Sequence, residues 1–149
     1  MIKRIACLAT VLMLGACGTD SRSPAEPVDI DAEAQRIAMA SIIVDTHVDV
    51  PYRLAARPDD ISQKTETADF DYPRAVAGGL NAPFMSIYTP AAYEAEGKSK
   101  ETAEKLIDLV ESIVAANPDK FAIATSVADV REQFAAGLVS LPMGMENGS

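Results

Sequence analysis

Apolar residues fall along the chain in two alternating rhythms. Leu106, Ile107, Val110, Ile113 and Val114 recur at the spacing that lines one face of a helix, which predicts a helix over residues 100–116, begun at or near Ser99 and ended by Asn117-Pro118. Between the helical stretches stand short unbroken apolar runs. Residues 41–44 (SIIV), 80–89 (LNAPFMSIYT), 121–125 (FAIAT) and 138–145 (LVSLPMGM) read as strands, the first and last of them suited to burial on both faces. Pro51 bars the first from continuing as a central strand. Residues 31–40 are Ala-rich with acidic residues at their start, which favours a helix. Asp71 caps a short helix over residues 72–77, with Pro73 tolerated in its first turn and Gly78-Gly79 supplying a left-handed stop. Ser126 with Asp129 forms a capping box for a helix reaching Ala136 and stopped by Gly137.

Strands and helices that alternate in this way imply parallel βα units and an α/β fold. A parallel sheet needs cover on both faces, yet no helix follows the last predicted strand before Ser149. A complete β/α barrel takes about 250 residues. The expectation is that residues 31–149 are the N-terminal part of a larger domain.

Charge and cysteine usage narrow the chemistry. Lys and Arg total 13 against 22 Asp and Glu, a formal charge of -9, which opposes any phosphate-backbone partner and excludes nucleic-acid binding as a main role. Cys7 and Cys17 both precede the folded part, so a disulfide framework or a cysteine zinc site is not expected there. A metal would be held by His, Asp and Glu. Glu94, Glu96, Glu101 and Glu104 read as a solvated surface.

Residues 1–16 read as an export signal, with Lys3 and Arg4 ahead of an apolar run over residues 5–14 that is too short to span a bilayer. Leu14-Gly15-Ala16-Cys17 resembles the lipobox of bacterial lipoproteins, which implies cleavage before Cys17 and lipidation of its sulfur; a plain secretory signal is the alternative. The polar, Pro-containing stretch that follows makes residues 17–30 a flexible tether from membrane to domain. Gly18 in place of an aspartate after the cysteine is similar to the outer-membrane sorting pattern, so an exported, lipid-anchored protein of the cell envelope is expected.

Two places could carry chemistry. Residues two apart in a strand face one side, so His47 and Asp49 can aim into one site just past an apolar strand, where β/α barrels place catalytic groups. Glu146 follows a second apolar strand and offers a hard oxygen ligand of the kind that accompanies imidazole in zinc hydrolases. Taken singly, these residues read as an exposed histidine, a turn aspartate and a solvated glutamate.

Read together, three blocks carry a resemblance. Residues 43–51 (IVDTHVDVP) resemble the opening of the membrane (renal) dipeptidase family of zinc peptidases. Asp71-Tyr72-Pro73-Arg74, followed by Gly78-Gly79 and residues 80–90 (LNAPFMSIYTP), is similar to that family's next block, and residues 143–148 (MGMENG) to its third. Val48 and Val50 stand where a polar residue and a leucine are more usual, Met85 where an aromatic is common, and Asn147 where a small residue is.

This resemblance implies a (β/α)8 TIM-like barrel, of which only the first strands and helices are present here, with two zinc ions in the complete site. His47 and Asp49 would bind one zinc, and Glu146 would bridge both as the catalytic carboxylate. It implies hydrolysis of dipeptides to two amino acids by a metal-bridging hydroxide. The family's further histidine ligands lie later in its chains, and this sequence has one histidine, so the truncated chain is expected to be inactive alone. Asp45 is a candidate for orienting His47, though its place in the strand points it to the other face, while Tyr52 and Arg53 read as surface packing beside the site. Phe84, Met85, Tyr88 and Met143 read as barrel filling. Two rivals stand beside this reading: another barrel metallohydrolase acting on cyclic amides or esters, and a non-catalytic lipoprotein binding module.

Overall fold

A computed structural model describes residues 28–148, so the expected export signal, Cys17 and most of the expected tether lie outside the described residues. Helix α1 (Ile30–Ala40) begins one residue before the expected start because the Asp29 side chain accepts the N–H groups of Asp31 and Ala32. Strand β1 (Ile43–Val48) then leads into helix α2 (Val50–Ala56). That helix is unforeseen in the sequence: Pro51 ends the strand as expected, but it does so within a first helical turn, where its missing N–H costs nothing.

Helix α3 (Tyr72–Gly78) opens on the Asp71 cap and closes on Gly79, whose φ of 76° is left-handed. Strand β2 (Leu80–Tyr88) and a short helix α4 (Ala92–Ala95) precede the long helix α5 (Ser99–Ala116). Strand β3 (Phe121–Ile123) leads to helix α6 (Val127–Ala135), which carries the reciprocal Ser126–Asp129 capping box. The last apolar run is two strands, β4 (Val139–Leu141) and β5 (Met143–Glu146). Pro142, with no N–H to donate, divides what reads in sequence as one strand. Its carbonyl still accepts the Met85 N–H at 2.8 Å.

All pairings are parallel, as the βα alternation predicts. One sheet has the order β1-β2-β5, and β3 pairs β4 in a second. Among the described residues these strands form open sheets and no closed barrel. No described helix is long and apolar enough to cross a membrane.

The expected doubly buried first strand is corrected in two respects. β1 runs on through Asp45, Thr46 and His47, and most of it is exposed, Val44 to 47%. It pairs with β2 alone among the described residues, so it is a sheet edge, with Val48 packed against the core and Val44 left exposed.

The core lies between the helices and one face of β2. Leu106 and Val110 of α5 pack with Met85 and Ile87 of β2, Phe121 of β3, and Val139 and Leu141 of β4. Tyr72 meets the Phe121 ring edge-on at 5.4 Å. Of the residues expected as filling, Met85 is 1% exposed and Met143 packs against the same core. By strand alternation Ala82, Phe84, Ser86 and Tyr88 project to the opposite face. Phe84 there lines an apolar cavity of about 850 Å³ with Ile42, Val44 and Ile123.

Candidate metal centre

Parallel strands end at a common rim, and three ligand-type side chains meet there. His47 is the penultimate residue of β1, Asp49 is the N-cap of α2, and Glu146 is the last residue of β5. The His47 Nε2 lies 3.2 Å from Asp49 Oδ1 and 3.3 Å from Glu146 Oε2. One ligand atom from each of the three residues falls within 4.8 Å of the others. Two features of local folding explain the convergence. His47 lies at the end of β1 and Asp49 in the turn that opens α2, and β2 holds β1 and β5 on its two edges in a register that sets Tyr88 beside Glu146.

The Asp49 side chain makes no capping bond to α2, although it occupies the N-cap position, and so remains turned to His47. All three side chains are about half exposed. An imidazole and two carboxylates form a donor set suited to zinc, and a cluster open on one side leaves room for further ligands and a substrate. The residues present therefore fit the metal that the sequence suggests.

Neighbouring residues refine the picture. The Asp45 carboxylate accepts the backbone N–H of His47 at 3.0 Å and thereby shapes the strand end. Tyr52 packs edge-on against Tyr88 at 5.1 Å, and Arg53 sits 4.0 Å from Asp59. Glu96, Glu101 and Glu104 pair with Lys98, Lys105 and Lys100 on the surface.

Three polar residues at this rim are not singled out by their sequence context. The Ser86 hydroxyl donates to Glu146 Oε2 at 2.8 Å from a buried position on β2. The Thr89 hydroxyl donates to the Asn147 carbonyl, and the Asn147 amide donates back to the Thr89 carbonyl at 2.7 Å. Asn147 adopts a positive φ of 51°, which Asn tolerates better than most residues. Period-two alternation along residues 80–89 places Ser86 on one face with Tyr88, but its partner is fixed only by the pairing of β2 with β5.

Comparison with known proteins gives the setting. Residues 31–149 match the family Peptidase_M19, described as membrane dipeptidase (peptidase family M19). The dipeptidase ataJ of Aspergillus terreus is 26% identical over 125 residues, covering 76% of this chain and 30% of that protein. The crystal structure of dipeptidase AC, a metallopeptidase of family M19, superposes with a TM-score of 0.58 at 25% identity, over 70% of this chain and 35% of that one. A metallopeptidase from Rhodobacter sphaeroides, solved with a phosphinate mimic of the dipeptide L-Ala-D-Ala, shares the fold with a TM-score of 0.59 at 23% identity, over 70% of this chain and 38% of that one. The chain thus spans about a third of the length of these relatives. With a family match running from the start of α1 through the rim that gathers His47, Asp49 and Glu146, this chain belongs to the membrane dipeptidase family, peptidase family M19.

Proposed function

We propose that this chain supplies the opening strands and helices of a β/α-barrel zinc dipeptidase, and with them His47, Asp49 and Glu146 of a two-zinc site. The meeting of these three side chains at one rim, from positions 47 to 146 along the chain, is the observation that carries the reading. Family membership and the dipeptide mimic held by the Rhodobacter sphaeroides relative support a dipeptide as substrate.

In this reading His47, Asp49 and Glu146 would hold the zinc pair, His47 through an imidazole nitrogen and the two acids through their carboxylates. A bound zinc pair supplies Lewis acidity toward a peptide carbonyl and activates water near neutral pH. The open side of the cluster admits the peptide, and cleavage yields two amino acids. The remaining ligands are proposed to come from the part of the barrel outside this chain. The proposal also covers location. The basic start, the apolar run and Leu14-Gly15-Ala16-Cys17 support an exported protein anchored by lipid on Cys17, which palmitate labelling of wild type and Cys17→Ser tests.

The decisive experiment on the site measures zinc content and dipeptide hydrolysis of the whole protein and of its His47→Ala and Glu146→Ala variants. Each variant is expected to lose zinc and activity together, and a chelator to abolish hydrolysis in the wild type. Wild-type protein free of zinc, or variants that keep both zinc and turnover, would overturn the reading.

A further inference from the structure

Glu146 stands at the end of β5 with a side chain 43% exposed, and an exposed glutamate samples several rotamers. Here one of its oxygens is held. Ser86 is 2% exposed, and its hydroxyl donates to Glu146 Oε2 at 2.8 Å, across a sequence separation of 60 residues. The same Oε2 lies 3.3 Å from His47 Nε2. We propose that Ser86 is a positioning residue for the metal site: its hydroxyl fixes the Glu146 carboxylate in the rotamer that meets His47 and Asp49. The inference rests on the zinc reading above.

Three features support it. The register pairs Ser86 with Gly144 and Tyr88 with Glu146, so Ser86 and Glu146 stand on adjacent strands two positions apart, within reach of a direct hydrogen bond. A hydroxyl is neutral and occupies one of about four lone-pair positions on the carboxylate, leaving the others for cations, whereas Lys or Arg at this place would repel them. The backbone of this segment is tied as well. The Thr89 N–H donates to the Glu146 carbonyl at 3.3 Å, and the reciprocal Thr89–Asn147 bonds clamp the next residue. Side chain and main chain of Glu146 are thus both anchored to β2, and less freedom remains to be lost when a cation binds.

Ser140 is a natural control. It is 1% exposed on β4, and its hydroxyl has no hydrogen-bond partner among the described residues. Zinc affinity, measured by chelator competition on the whole protein, and melting temperature in excess chelator are to be compared for wild type, Ser86→Ala, Ser86→Thr, Ser140→Ala and Glu146→Ala.

Ser86→Ala is expected to weaken zinc binding by about 10- to 100-fold. Ser86→Thr, which keeps the donor, is expected to recover most of that loss, and Ser140→Ala to bind zinc as the wild type does. Should Ser86→Ala fail to fold, Ser86→Val, which matches the Thr variant in shape but carries no donor, reads the same difference. Unchanged zinc affinity in Ser86→Ala (or in Ser86→Val if that variant is needed), alongside loss of binding in Glu146→Ala, overturns the positioning role and leaves the metal site standing. Undiminished binding in Glu146→Ala, or none in the wild type, overturns both.

Discussion

Replacing Asp71 with alanine removes one buried carboxylate on which the start of α3 depends. Asp71 is fully buried and accepts five hydrogen bonds: from the Thr65 N–H and hydroxyl, from the Arg74 N–H that it caps, and from the Arg74 Nε and Nη2. Loss of the cap costs about 1 kcal/mol. The buried Thr65 N–H, left without an acceptor, adds about 1 to 2 kcal/mol. Arg74 is 40% exposed and regains water, so the ionic part is discounted to about 1 kcal/mol or less. A loss of about 3 kcal/mol is expected for Asp71→Ala, and about half of that for Asp71→Asn, which keeps one acceptor.

Urea unfolding at constant m-value measures this difference. The Arg74 hydrogen bonds hold the Asp71 carboxyl well below the usual carboxylate range, against the opposing effect of burial. Because the folded pKa is depressed, the stabilisation is fully present above the unfolded value of about 3.9 and is lost as pH falls toward the folded one. The gap between wild type and Asp71→Ala is therefore flat near neutrality and narrows below about pH 4. A loss under about 1 kcal/mol at neutral pH, or a gap that stays constant down to about pH 2.5, would refute the reasoning.

Phe121→Ala empties a side chain that is 1% exposed and packed edge-on against Tyr72, so thermal unfolding should show a loss of about 3 to 5 kcal/mol. Gly79→Ala forces a side chain into a φ of 76° and sets a Cβ 3.0 Å from the Ala38 carbonyl oxygen. It should cost at least about 1 to 2 kcal/mol and speed proteolysis of α1, whereas Gly78→Ala, with nothing within 4 Å of the new Cβ, should leave both measurements unchanged.

Much of the local structure was legible because it depends on neighbours in the chain. The Asp71 cap, the Gly79 stop and the Ser126–Asp129 box act within four residues, and the stripe from Leu106 to Val114 needs only helical periodicity to declare its buried side. The βα alternation implied parallel pairing, and the three motif blocks pointed to the family that residues 31–149 match. Helix α2 was hidden because Pro51 suits both the end of a strand and the first turn of a helix.

Pairing between distant strands lay beyond the reach of local pattern. Residues 41–44 read as buried because they are apolar and β-branched, yet β1 is an edge among the described residues. The last apolar run serves two sheets, since β4 joins β3 while β5 joins β2 on the far side of Pro142. The types of the side chains at 47, 49 and 146 were readable from the chain itself, whereas their meeting, and the grip of Ser86 on Glu146, required β2 to seat β5 in one particular register. Local sequence selects a conformation through bonds within a few residues; which far-off strand lies alongside is settled by burying apolar faces across the whole sheet.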